Sequence, residues 1–457
     1  MTETTPTAGG SGGVAELDAA ARRKEQRAWY FYDWANSAFS TTVAGVLFGP
    51  YLIAIAREAA VDNRIDVLGL SIAPGSLPSF TITASTLLSA VLLPLLGAVA
   101  DRTSRKKDLL AGFAWTGAAA ASLLFFVQGD NWQLGVISFM VANLCFGAAA
   151  VFNDAILCLI SNEEERDRVS STGWAYGYAG GGLLLAANFL LVTFHDAVGV
   201  SEGMAVRISL LSAALWWAGF TFIPFLGLKN RAPQHVVPEG GGLVSQSFGQ
   251  LWATLKDLRQ YPVALTFLVA YLFFNDGIQT VIASASIYGV EELEFDTGTV
   301  LATYLVVQFV AVIGAVGFGR AADRFGAKRV ILVGLAIWIA IVTAALFVPA
   351  RQLVAFLVLA VAIGIVLGGT QALSRSYFSL LIPNGREAEY FSFYHAMERG
   401  TSWFGTLVFG LVYQLTDSYR PAIFALVVFF VIGGALLLKV DTARGIREAG
   451  NVAPSVI

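Results

Sequence analysis

The strongest limit on what this chain can fold into is the recurrence of long apolar windows, each near the roughly 20 residues a helix needs to cross a hydrocarbon layer about 30 Å thick. Bounded by charges, proline or glycine, they fall at 29 to 52, 79 to 100, 109 to 127, 132 to 158, 171 to 194, 206 to 228, 262 to 288, 299 to 319, 329 to 348, 353 to 377, 390 to 415 and 419 to 439. Lipid offers no partner to a backbone polar group, so spanning segments are helices or strands of a closed barrel. The alternation over about ten residues that marks a barrel strand is missing. The sequence therefore predicts an all-α membrane protein with twelve transmembrane helices. Only 13% of the 457 residues are charged, about half the share of a soluble domain.

The formal net charge of −3 leaves no polybasic surface, so nucleic-acid binding is not expected. Cys145 and Cys158 share one predicted helix, too far apart along it for a disulfide, and no zinc site suggests itself. Residues 1–28 begin with Thr, Gly, Ala and Ser and read as a disordered tail with no cleaved signal peptide.

Positive charge sets the orientation. With the tail in the cytoplasm, only Arg57, Arg64, Arg207, Arg351 and Arg420 of the 29 Lys and Arg residues fall outside, and Arg399 lies within a span. Both termini are expected in the cytoplasm, in the plasma membrane. The longest inner connection, residues 229–260, divides a bundle at 29–228 from a second at 261–440, leaving 441–457 as a tail. It holds Pro233, Pro238 and Gly240 to Gly242, then Leu251, Leu255 and Leu258 at near-helical spacing. This predicts a short amphipathic connecting helix on the inner face.

An internal repeat links the two bundles. Gly97-Ala-Val-Ala-Asp101-Arg102-Thr-Ser-Arg105-Lys106-Lys107 recurs 222 residues later as Gly319-Arg-Ala-Ala-Asp323-Arg324-Phe-Gly-Ala-Lys328-Arg329, and the same shift carries Asn162 onto Asn384. Two six-helix pseudo-repeats imply a substrate site near the bilayer midplane, where they meet. Asp101 and Asp323 can accept from the next helix's N-terminal amides while the cations pair across the gap. Gly97, Asp101, Arg102, Arg105, Gly319, Asp323 and Arg324, with Arg375, then form an inner gate. Helix capping alone also accounts for the two aspartates.

Ionisable groups within spans cost about 2.5 to 3.5 kcal/mol each on insertion scales and default to functional roles. Asp33 shares a helix face with Asn36 and Ser37. Asn275 and Asp276 sit in span seven, Asp276 about 20 Å along the helix from Pro262. In span eleven His395 reaches Glu398 and Arg399 at i+3 and i+4, a set able to carry a proton. Under the 222 shift Asn153 and Asp154 of span four fall opposite Arg375 and Ser376 of span ten, where a salt link between halves could form, and Arg399 can also pair with Asp154 in packing. Tyr176, Tyr178 and Trp403 lie deep enough to line a pocket or to pack. Gly173, Gly177, Gly181 and Gly364, Gly368 permit close helix contact and read as rocking surfaces. No phosphate-cradling loop or His-Glu-x-x-His stretch occurs, so neither an enzyme nor an ATP-driven pump is expected, and no cofactor or metal is required.

The two loop copies, Gly97 to Lys107 and Gly319 to Arg329, resemble the signature of the major facilitator superfamily. More narrowly, Tyr32-Asp33-Trp34-Ala35-Asn36-Ser37-Ala38-Phe39, Gly173 to Gly181 and Gln371-Ala372-Leu373-Ser374-Arg375-Ser376 resemble its UMF1 branch, related to fungal vacuolar amino-acid effluxers. Ala327 departs from the loop pattern, which more often has Arg there. The resemblance implies the major facilitator fold, a monomer and an amino-acid-like solute. The expected function is secondary transport of a small polar or zwitterionic solute by alternating access, as proton-coupled efflux. Asp33, Asn36, Asn275, Asp276, Tyr176 and Trp403 then contact substrate, and His395, Glu398, Arg399 and Asp154 couple protons. A multidrug exporter and a non-transporting receptor or scaffold are the alternatives.

Overall fold

The computed structural model describes residues 19–67, 69–160, 163–231, 259–382, 394 and 403–451. The first helix, α1, is one rod from Ala20 to Glu58 whose centre, Phe39–Leu47, is wound as a π-helix. A small antiparallel hairpin follows, β1 (Ile65–Val67) with β2 (Leu70–Ile72). Next come α2 (Leu77–Arg102), α3 (Lys106–Ser122), α4 (Trp132–Ile160), α5 (Glu163–Thr193) and α6 (Glu202–Gly227). The second half holds α7 (Pro262–Glu292), α8 (Thr297–Phe325), α9 (Ala327–Ala345), α10 (Leu353–Leu380), α11 (Phe404–Thr416) and α12 (Tyr419–Lys439). A short α13 (Thr442–Glu448) ends the described chain. Nine of these helices are long and apolar enough to cross a membrane, and α2, α8 and α11 fill the other places of the twelve-helix order. We call the side where α1 starts and α12 ends the terminal face, and the opposite side the distal face.

The outer surface is apolar. Leu226, Leu415 and Val354 are each more than three-quarters exposed, and Phe309, Ile313 and Phe347 nearly as much. In water such a surface would aggregate; facing acyl chains it is the expected exterior.

Packing repeats between halves. In the first, α1 lies on α5 and α6, α2 on α4, and α3 on α4 and α6; in the second, α7 lies on α11 and α12, α8 on α10, and α9 on α10 and α12. The halves touch through α1 with α7, α2 with α11, and α5 with α8. Exchanging the halves maps α2–α11 onto α8–α5 and α1–α7 onto itself, the pattern of a two-fold axis between them.

Helix ends follow local chemistry. The Ser201 hydroxyl accepts from Met204 N at the start of α6, and Gly326, at φ +84°, turns α8 into α9, a backbone state glycine reaches without strain. Asp296 caps α8, accepting from Thr299 N at 2.9 Å. Partial burial pushes its carboxyl up, but bonds from the Thr299 hydroxyl and the first α8 amides outweigh this and hold it below the usual range. Because the folded state binds that proton less tightly than the unfolded chain, the contribution is full above the ordinary aspartate range and is lost as pH falls through the lowered value. Asp296→Ala should cost about 1 kcal/mol, measured as a drop in thermal midpoint that shrinks in acid.

Two boundaries differ from expectation. Residues 20 to 28 are helix rather than tail, because Glu25, only 2% exposed, receives two hydrogen bonds from Arg231 and Gln26 donates to Ile160 O. Part of the expected tail at 441–457 is likewise ordered. In α13, Gly445 lies against Leu381 and Val263, and Asn451 donates to Leu380 O and Ile382 O. The predicted connecting helix, with Leu251, Leu255 and Leu258, falls outside the described residues.

Candidate functional site

On α1, Asp33, Ser37 and Thr41 recur at i, i+4 and i+8 and so share one face. Gly173, Gly177 and Gly181 of α5 oppose them. A Cβ added at Gly173 would strike Asp33 Oδ2; one at Gly177 would lie 2.7 Å from Ser37 Oγ, and one at Gly181 3.0 Å from Thr41 Oγ1. The glycines thus let a polar stripe lie flush on a neighbouring backbone, with no room for side chains between. Asp33 Oδ1 also accepts from Asn153 Nδ2 of α4 at 3.4 Å, and Trp29 Nε1 donates to Asn153 O. Asn153 Oδ1 is buried without a partner. Asn36 and Asp154 are half-buried on α1 and α4.

In the second half Asn275 and Asp276 are 2% and 1% exposed. Asp276 Oδ2 accepts from Gly405 N of α11 at 2.8 Å. Trp403 is the residue before α11, and its carbonyl accepts from Thr406 Oγ1 at 3.0 Å. The ring of Tyr176 sits among Tyr30, Phe31 and Trp34, in an aromatic cluster continued by Trp216 and Phe220 of α6. Tyr176 is thereby taken up in α1–α5–α6 packing. An apolar cavity lies inside the second half, lined by Val281, Tyr288, Val307, Ile341 and Phe356 among others, and takes in none of the residues predicted to bind solute.

A cluster of described hydrogen bonds and an ion pair joins the halves in their distal part, and one hydroxyl pair joins them nearer mid-height. Arg57 Nη2 meets Glu291 Oε2 at 2.6 Å, with the Glu291 side chain 8% exposed. Gln414 Oε1 accepts from Ala73 N and Ser76 Oγ, and Tyr419 OH donates to Gly75 O at 2.9 Å. The hydroxyls of Thr83 and Thr406 are 3.0 Å apart, and Thr297 Oγ1 donates to Glu202 Oε1. The distal end of α7 is the hub. Glu291 holds α1, Glu292 receives Arg420 Nε at 2.7 Å and Tyr419 N of α12, and Glu294 pairs with Arg351 at 2.7 Å. This closure was not anticipated, though a signal existed: Arg57, Arg351 and Arg420 break the charge asymmetry of the chain, and each has an acidic partner in one four-residue stretch.

At the terminal face Arg105, Lys107 and Lys328 of the repeated loops find partners within their own half. Arg105 pairs with Asp108 at 3.0 Å, and Lys107 Nζ donates to Phe225 O at the end of α6. Lys328 Nζ donates to Leu438 O and Val440 O at the end of α12, so in both halves a lysine caps the last helix, as cations at helix C-termini do. Arg324 is exposed in the last turn of α8 with its guanidinium over the Phe325 ring, and Gly319 has open space beside it. Gly97, Asp101 and Arg102 lie on α2, Asp323 on α8 and Arg375 on α10, but the side chains of these residues are outside the described set, as are all of His395, Glu398 and Arg399. The small-residue faces expected to slide between halves lie inside them: α5 glycines meet α1, and Gly364 meets Val310 of α8.

Comparison with known proteins gives one answer. The family model described as "Vacuole effluxer Atg22 like" matches residues 21–165 and 160–450. An uncharacterized MFS-type transporter, YxiO, of Bacillus subtilis is 32% identical, over 94% of this chain and 98% of that protein. Autophagy-related protein 22 of Yarrowia lipolytica is 26% identical, over 84% of this chain and 79% of that protein. Among solved structures, a D-xylose-proton symporter superposes with a TM-score of 0.67 at 13% identity, over 92% of this chain and 97% of that one. At that identity the likeness is one of fold.

Proposed function

The chain belongs to the Atg22-like effluxer family of MFS-type membrane transporters, and from that premise we propose that it exports a small polar or zwitterionic, amino-acid-like solute by proton-coupled alternating access. The observation that carries this reading is the distal closure: the Arg57–Glu291 pair, Gln414 with Ala73 and Ser76, and Tyr419 with Gly75 join the halves there, while Asp33, Asn36, Asn153 and Asp154 lie on the terminal side of it. A closure at one end above polar groups is one of the two end states alternating access requires. The charge asymmetry supports a cytoplasmic terminal face in the plasma membrane, and the protein acts as a monomer. Its relatives are transporters rather than enzymes.

The test is flux in proteoliposomes loaded with radiolabelled amino acids. An imposed pH gradient should drive efflux, and collapsing it with a protonophore should slow efflux about tenfold. Efflux indifferent to the gradient refutes proton coupling, and no efflux of any amino acid refutes the solute class.

A further inference from the structure

Asp276 is less exposed than any other described Asp, Glu, Lys or Arg, at 1%, and lies near the middle of α7, which runs from Pro262 to Glu292. Its two oxygens differ. Oδ2 accepts from Gly405 N, one of the first amides of α11, whose own N-cap residue supplies no side-chain bond. A carboxylate borrowed from α7 thus occupies the positive end of α11. That accounts for one oxygen only. Oδ1 is buried and has no hydrogen-bond partner.

An ionised carboxylate is an acceptor throughout and carries no donor of its own; a dry, unsatisfied oxygen is costly for it. The surroundings offer no counter-charge among the described residues. A Cβ on Gly405 of α11 would lie 3.1 Å from Oδ1. From α12, Phe429 and Phe430 close on the neighbouring Gly277. On α7, the Thr280 hydroxyl already donates to Asp276 O, and Tyr271 stacks on Tyr394. Tyr377 of α10 bonds Thr442. Glu291 with Arg57 and Glu292 with Arg420 are about 20 Å along the α7 axis, at the distal hub. His395, Glu398 and Arg399 lie outside the described residues.

We propose that Asp276 is the proton-carrying group of this transporter. A proton adds to Oδ1 in one phase of the cycle and leaves it in another, so one positive charge is bound and released per turnover. Neutralising the carboxylate weakens its hold on Gly405 N and frees α11 to shift against α7. Because α11 also meets α2 of the other half through Thr406 and Thr83, protonation reaches an interhalf contact in one step. The proposal rests on the ion-coupled reading above.

Asp276→Asn keeps the size and an acceptor oxygen for Gly405 N but cannot titrate. With radiolabelled amino acids as probe, the variant should retain exchange at equal concentrations on both sides and lose about tenfold or more of gradient-driven flux. Undiminished gradient-driven flux overturns the proposal, and equal loss of both modes reduces Asp276 to a structural group. A second measurement requires neither variant nor solute. The protonated acid gives its proton to a nitrogen of an apolar carbodiimide and adds through oxygen to the central carbon, and the product rearranges to a stable N-acylurea; mass spectrometry of the wild-type protein should find this adduct on Asp276 in acid and progressively less of it as pH rises. Absence of the adduct in acid overturns the proposal, whereas wild-type liposomes inert to every amino acid but labelled at Asp276 overturn only the solute reading.

Discussion

Replacing Arg57 by alanine should open the distal face. The Arg57–Glu291 pair crosses between halves, and its acidic member is nearly buried while the arginine side chain is 51% exposed. Stranding a fully buried charge costs about 3 to 5 kcal/mol, and exposed pairs are worth under about 1 kcal/mol. A value of about 2 kcal/mol for this half-exposed pair would move the balance between closed and open distal faces by about thirtyfold. Spin labels on the distal ends of α2 and α11 would report it as a growing long-distance population. Gln414 and Tyr419 still hold the Ala73–Ser76 turn in this variant, so a mixture rather than a wholly open state is expected. The exchanged pair, Arg57→Glu with Glu291→Arg, should restore the short distance. An unchanged distribution in Arg57→Ala would show that the ion pair does not hold the face closed.

The largest loss of stability should come from Gly314→Ala. The nearest atoms to an added methyl are the Ile365 O, C and Cα of α10, all backbone, so no rotamer change relieves the clash and α8 and α10 must separate. Overpacking costs about 1 to 3 kcal/mol and occasionally more, and a clash between two helix backbones belongs at the upper end. Gly317→Ala, one turn away with nothing within 4 Å, is the control. Thermal unfolding of the purified protein should fall by several degrees for the first and hold for the second; equal midpoints would mean the α8–α10 seam yields to an added methyl despite the close backbone approach at Gly314.

The bundle was readable in the sequence because bilayer thickness and flanking charge bound helices at both ends. The windows at 132 to 158, 262 to 288 and 419 to 439 became Trp132–Ile160, Pro262–Glu292 and Tyr419–Lys439. The early start of α1 escaped notice because Glu25 and Arg231 look like ordinary surface charges until folding brings them together across more than two hundred residues. The same holds for the distal closure, where Gln414 recognises backbone groups of a turn that carries no motif. Asp33, Asn153 and Asp276 stood out as costly polar groups, but which oxygen is left unpartnered depends on helix contacts that no spacing rule supplies. Tyr176 shows the converse: an aromatic in a glycine-rich helix looks the same from sequence whether it faces a cavity or three other rings.

The wide turn at the centre of α1 has a mechanical consequence. The residues at 33, 37 and 41 contact α5, while Gly45 meets Tyr304 of α8 and Gly49 meets Ile287 of α7. In a regular α-helix a stripe spaced by four drifts steadily around the cylinder. The looser winding from Phe39 to Leu47 turns less per residue and winds that drift back. One continuous helix can therefore be held to its own half below and to the opposite half above along nearly one face. A twist imposed on its lower end by the polar stripe is carried along the same helix to the contact that seals the far side.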